Sequence, residues 1–214
     1  MNLDRWLALM ERWGFGSNEQ TFGALVLAYS GKGRHYHSQE HVAACLRHFD
    51  SCVDQISQSR EVELAIWFHD AIYKPLVGGN ERKSAEWATS FLSANGATGD
   101  EVARVHRLIL VTEHNAPTQT RDESILVDID LSILGADPKT YDAFERGVRD
   151  EYRLVPSFVY RKKRAEVLQG FLDRPRLYQN EPFATEREQQ AKENLRNAIF
   201  QLLGRASRQK GHSR

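Results

Sequence analysis

The run "ELAIWFHDAIY", residues 63–73, constrains the fold of this chain more than any other. Its apolar residues Leu64, Ile66, Trp67, Phe68, Ala71 and Ile72 fall on every side of a helix at about 100° per residue. A helix that is apolar all round must be covered all round, so it belongs at the centre of a packed domain. The spacing predicts a helix over residues 60–73, stopped before Pro75. Yet His69 and Asp70 stand inside it. A buried carboxylate is costly unless it is paired, hydrogen-bonded or bound to a metal.

The segments on either side repeat the helical period. Apolar spacing near 3.6 predicts helices over 3–13, 19–30, 38–57, 81–94, 100–113 and 122–134. Gly14, Gly31, Gly96 and Gly135 mark ends. Asn80 is expected as an N-cap, and Asp137 followed by Pro138 opens a helix to about Leu154. Ser157 is expected to cap a helix ending near Arg174, and Thr185 with Glu188 forms a capping-box pattern before a last helix to Leu203. "LILVTEH" and "SILVDIDLSIL" are β-branched enough to resemble strands, but their lengths and caps favour buried helix. The expected architecture is one all-α domain of nine or ten helices over residues 1–204. The small, polar, basic end, residues 205–214, is expected to be a disordered tail.

Composition narrows the function classes. Lys plus Arg and Asp plus Glu both total 29, so the formal net charge is zero. Such a balance gives no reason to expect stable nucleic-acid or membrane binding. No run approaches the 18 apolar residues of a membrane span, and the N-terminus is an amphipathic helix rather than a signal peptide. Cys45 and Cys52 lie about 10 Å apart on a helix, too far for a disulfide. They read as reduced core thiols, and the chain as cytoplasmic.

A second polar intrusion accompanies His69 and Asp70. "ESILVDIDLSILG" carries Asp128 and Asp130 in a nearly all-apolar helix. On the helical wheel Asp130 falls between Leu126 and Leu134, whereas Asp128 falls beside Ser132 in the only gap. Asp130 is therefore the expected buried ligand, and Asp128 a solvated or outer carboxylate. Upstream, "RHYHSQEH" holds His37 and His41 four apart, a spacing that lets both share one helical face. Histidines and carboxylates from three helices would then meet on one ion. The set suits a divalent ion of hydrolytic type, without choosing among Mn, Mg, Fe, Ni, Co and Zn.

These blocks resemble a known family. "H…HD…D" in an all-α chain is similar to the HD-domain metal-dependent phosphohydrolases, and "RHYHSQEHV", "LAIWFHDAIY", "NERKSA", "DIDLSILG", "RDEY" and "RAEVLQGFLDRPRLY" resemble one bacterial branch of them. "YHSQEH" also resembles the "YHNxxH" block of cyclic-nucleotide phosphodiesterases, and Asp130-Leu-Ser their "ADLS". The resemblance implies His41, His69, Asp70 and Asp130 as metal ligands and His37 as general acid. It offers His114, with His106 eight residues earlier, toward a second metal, as in binuclear members. One ion is the base expectation.

Further polar residues carry two readings each. Glu81 either orients the attacking water or stabilises the start of its helix. Arg34 and Lys83 are either phosphate-binding or surface charges. Arg149 in "RDEY" is read as the partner of a buried carboxylate, "YRKKR" as a solvated face, and Arg164 within it as structural. The expected activity is hydrolysis of a phosphoester or phosphoanhydride of a small molecule, a nucleotide by family likeness. The alternative is a non-catalytic HD-fold module that binds a nucleotide or a protein. A non-phosphate hydrolase or di-iron oxygenase would need a fuller second-metal set. Neither substrate nor oligomeric state is written in the chain.

Overall fold

The computed structural model describes the backbone of residues 1–209 and the side chains of residues 1–204. Among the described residues the chain forms ten α-helices and no strand, which is the all-α class expected. They are α1 (Leu3–Trp13), α2 (Glu19–Tyr29), α3 (Gln39–Cys52), α4 (Ser59–Phe68), α5 (Asn80–Ala94), α6 (Gly99–Leu110), α7 (Arg121–Asp130), α8 (Pro138–Glu151), α9 (Ser157–Leu172) and α10 (Phe183–Gln209). Short 3-10 turns follow α3, α6 and α7. No described helix is long and apolar enough to cross a membrane. Within the residues expected to form one domain, the chain clusters into two compact units that divide after Asp130.

In the first unit α4 is the central element. Every residue from Glu61 to Phe68 is buried, and α1, α3, α5, α6 and α7 pack against it. Trp67 and Phe68 at its end are wholly buried, in an aromatic cluster with Trp6 and Phe91. Ring contacts of this kind add about 0.5–1.5 kcal/mol each beyond area burial, so they help to anchor the end of α4. Two buried glutamates on α4 are paired: Glu61 accepts a bidentate contact from Arg104 at 2.7 Å, and Glu63 is held by Arg5 and Arg12.

The helix stops earlier than its apolar run predicts. α4 ends at Phe68 with His69 as C-cap, so His69 and Asp70 sit in a turn rather than mid-helix. The cause is side-chain competition for the backbone. The Asp70 N–H donates to the Tyr29 hydroxyl at 3.2 Å, that hydroxyl donates to the Trp67 carbonyl at 3.2 Å, and the Ile72 N–H donates to Ser84 Oγ at 3.0 Å. These groups satisfy peptide units that would otherwise continue the helical ladder. The helix expected over 122–134 also changes type, since α7 ends at Asp130 and a 3-10 turn runs over Leu131–Gly135.

Several caps differ from expectation in position. Gly79 stands at the N-cap of α5 and Asn80 inside it, its side chain bonded to the backbone of Lys74. Thr98 and Glu101 form a capping box on α6. Asp137 caps α8 as expected, while Pro156 rather than Ser157 precedes α9.

In the second unit α10 packs on α9 and on the 3-10 turn. Gly135 permits the approach, because a Cβ there would lie 2.6 Å from Cβ of Arg187. α10 begins at Phe183, so Thr185 is inside it. The capping box expected there is absent: Glu188 accepts from the N–H groups of Leu177 and Tyr178 instead. Arg164 pairs with Glu145, a structural role as expected. Arg149 donates to the carbonyls of Tyr152 and Val155, not to a carboxylate. α10 runs to Gln209, past the expected end at Leu203, because residues 205–209 are helix formers without Gly or Pro. The rest of the tail expected over 205–214 lies outside the described residues.

Candidate metal centre

Three helix ends of the first unit bring the polar groups together. His41 is the third residue of α3, His69 caps α4, and Asp130 is the last residue of α7. Ser38 is the N-cap of α3, so His37 precedes the helix and does not share a helical face with His41. Its ring nevertheless lies 6.2 Å from that of His41.

The ligand atoms converge. His41 Nε2 and His69 Nε2 are 3.1 Å apart. Asp70 Oδ2 lies 3.1 Å from His69 Nε2 and 3.5 Å from His41 Nε2. Asp130 Oδ1 lies 3.2 Å from His41 Nε2 and 3.6 Å from His69 Nε2. With metal–ligand bonds near 2.1 Å, neighbouring ligands stand about 3.0 Å apart at an octahedral edge and about 3.4 Å at a tetrahedral one. The five separations fall at these values. The Nδ1–H of His69 donates to the Ile66 carbonyl at 2.9 Å, which leaves Nε2 turned to the centre. A ligating histidine needs this second bond to fix its tautomer.

The cluster His41, Cys45, His69 and Asp130 could hold a metal ion, their ligand atoms all lying within 4.8 Å of one another. Sequence reasoning placed Cys45 in the core and missed its place here; its spacing of four from His41 was the available signal. Its sulfur is nonetheless poorly aimed. Sγ stands 3.7 Å from His41 Nε2 and 3.8 Å from Nδ1, beside the ring rather than ahead of Nε2. A sulfur sharing an ion with Nε2 would lie clearly farther from Nδ1. Without an ion, burial, with Asp130 and Asp70 nearby, holds the thiol well above its usual range. Asp70, outside that cluster, turns Oδ2 toward both imidazoles.

The electrostatics express the crowding. Burial alone would lower the His69 imidazolium, but Asp70 and Asp130 outweigh it and hold the group well above the usual histidine range. Burial would likewise raise Asp70, yet His69, His37 and His41 hold it well below the usual carboxylate range. Asp130 is also held well below, by hydrogen bonds from His114, His41 and His69 that overcome its burial. Two ionised carboxylates facing two buried imidazoles favour either protons or a cation between them.

The remaining expected residues fall around this centre. His114 Nε2 lies 3.0 Å from Asp130 Oδ2, so the two oxygens of Asp130 face different imidazoles. Glu81, half-buried in the first turn of α5, is raised above its usual range by burial and by Asp70 and Glu113. Lys83 is exposed on the same turn, and His106 is half-buried on α6. His35 is an exposed loop residue, as expected. Arg34 lies between α2 and α3, with its guanidinium on backbone carbonyls. Of the two readings of Asp128, the solvated one is corrected: the residue is fully buried. Burial, and then the Asp128 charge, raise Cys52 at the end of α3. Both cysteines are free.

No family model, curated protein or solved structure matches this chain.

Proposed function

We propose that this chain is a metal-dependent phosphohydrolase of the HD-domain kind, acting on a small phosphorylated molecule such as a nucleotide. The observation that carries the reading is the convergence of His41 Nε2, His69 Nε2, Asp70 Oδ2 and Asp130 Oδ1, at separations of 3.1–3.6 Å. Two imidazoles and two carboxylates suit a hydrolytic divalent ion. The chemistry such an ion supplies when bound is Lewis acidity toward water and phosphoryl oxygen. His37, beside His41 at the mouth of α3, protonates the leaving oxygen, a role worth about 10²–10⁴ in rate. Glu81, with its raised carboxyl next to Asp70, orients the attacking water. Lys83 supplies positive charge for the phosphate. His114 steadies the outer oxygen of Asp130 or joins it in holding a second ion.

The test is elemental analysis of the purified protein, followed by phosphate release from chromogenic mono- and diesters with Mn²⁺, Mg²⁺, Ni²⁺ or Co²⁺. His69→Ala and Asp70→Ala are expected to lose both metal and turnover, and His37→Ala to keep the metal and lose turnover. Undiminished metal in both ligand variants would sink the site. Metal and nucleotide binding with no turnover under any ion would make the chain a binding module instead.

A further inference from the structure

Arg34 is joined to the backbone of the candidate centre. Its Nη1 donates to the carbonyl of His37 at 2.9 Å and to that of Asp70 at 2.6 Å, and its Nη2 donates to the carbonyl of Ala71 at 2.8 Å. The guanidinium also lies over two rings, 5.0 Å from the centre of Tyr29 and 5.5 Å from that of Tyr73. Tyr73 in turn stacks on the His37 imidazole, with centroids 4.1 Å apart and planes 25° from parallel. Tyr29 is the residue whose hydroxyl accepts the Asp70 N–H.

We infer that Arg34 is a positioning residue: it fastens the loop that carries His37 to the turn that carries Asp70, and so sets the geometry of the metal centre. This rests on the metal-centre reading above and replaces a direct phosphate contact as the main task of Arg34. Arg34 and Asp70 are 36 residues apart in sequence, and both segments lie outside a helix, so neither is positioned by helical hydrogen bonds. Only a planar fork can meet three carbonyls on two segments with fixed relative directions; an ammonium can reach one or two of them but cannot fix the angle between them. The donor is a charged guanidinium, so the bonds to these carbonyls are charge-assisted and stronger than ordinary amide pairs. The stack of guanidinium on Tyr73 and Tyr73 on His37 adds a second route from Arg34 to the proposed acid, through a ring rather than the backbone.

The experiment uses the full chain with Arg34→Lys and Arg34→Ala. Mn²⁺ affinity is measured by titration calorimetry, thermal unfolding is followed on chelated protein, and inorganic phosphate binding is measured on Mn²⁺-loaded protein. Groups that orient metal ligands typically change affinity by about 10–100-fold, so both variants are expected to bind Mn²⁺ at least about tenfold more weakly. Guanidinium at non-denaturing concentration is expected to restore part of the affinity in Arg34→Ala and none in wild type. Mn²⁺ affinity within twofold of wild type, with weaker phosphate binding, would return Arg34 to a phosphate ligand and overturn the inference. Unchanged Mn²⁺ affinity with only a lower melting temperature would overturn it too, leaving a structural clamp. A wild-type chain that binds no divalent ion fails at an earlier step, because it removes the centre itself.

Discussion

Stability of the chelated protein is expected to fall as pH rises through the neutral range, while stability of the metal-loaded protein is expected to stay nearly level. The perturbed group is His69. Its folded pKa is raised, because Asp70 and Asp130 outweigh the cost of burial. In the unfolded chain the same imidazole titrates near 6.5. Above that value the folded state keeps a proton that the unfolded state has lost. The stabilisation is therefore complete below the unfolded pKa and is lost as pH climbs through the folded one. One proton gives a slope of about 1.4 kcal/mol per pH unit inside that window. For a chain of this size 1 kcal/mol shifts the melting temperature by about 2–4 °C, so the fall is about 3–6 °C per pH unit. Asp70 and Asp130 do not oppose it. Their folded values are lowered, so their contribution is present above the unfolded carboxylate value and is lost only in acid.

Metal removes the slope. Binding needs Nε2 of His69 without its proton, so affinity grows with pH at the rate at which the chelated protein loses stability. An ion at about 100 times its dissociation constant adds about 2.7 kcal/mol. Scanning calorimetry of chelated and Mn²⁺-loaded protein between about pH 6.5 and 8.5 tests both slopes, and His69→Gln identifies the proton. A chelated protein whose melting temperature holds or rises across that range refutes the reasoning. So does an equal fall in His69→Gln.

Three further outcomes follow from individual contacts. Because Cys45 Sγ flanks the His41 ring, Co²⁺ bound to wild type is expected to show no sulfur-to-cobalt charge-transfer absorption, and Cys45→Ser no spectral change; a band lost in the variant would make Cys45 a ligand. Arg104→Leu strands the fully buried Glu61 and is expected to cost about 2–3 kcal/mol by denaturant titration, below the 3–5 of a fully buried pair because the Arg104 side chain is 37% exposed. Adding Glu61→Leu should recover most of that loss, and failure to do so would mean the charge is not its source. Tyr29→Phe removes both the acceptor of the Asp70 N–H and the donor to Trp67, so about 1–2 kcal/mol is lost and Mn²⁺ binding weakens. Unchanged Mn²⁺ affinity there would show that the turn holds its shape without the hydroxyl.

Helical periodicity and helix ends made the all-α fold legible, because both are local signals. The wheel argument that set Asp130 apart from Asp128 also used only local spacing, and Asp130 is the one that meets His41 and His69. What failed depended on distant partners. Nothing within residues 60–75 tells that α4 ends at Phe68, since the groups that end it come from Tyr29, Arg34 and Ser84. The polar gap beside Asp128 on its own helix leaves a solvated and an outer carboxylate as equal readings, and only the fold, where it is wholly enclosed, removes the first. Neither reading of Arg34, phosphate-binding or surface charge, includes its bonds to three backbone carbonyls, because such acceptors leave no trace in residue identity.

The groups of the centre share a position in the fold that explains this pattern. His41 is in the first turn of α3 and Glu81 in that of α5; His69 caps α4, Asp70 follows it, His114 closes the 3-10 turn after α6, and Asp130 ends α7. Helix bodies therefore set the distances between segments, whereas the bonds beyond the helix ends set the aim of each ligand. The end of α4 also helps chemically, because its carbonyl end favours positive charge, whether on the His69 imidazolium or on a cation beside it. An apolar change inside α4 should thus act mainly on stability, as a cavity would. A change at Tyr29, Arg34 or Ser84, each remote in sequence from the ligands it steadies, should act on affinity for the ion. Sensitivity of metal binding is predicted to follow these side-chain-to-backbone bonds, rather than depth in the core.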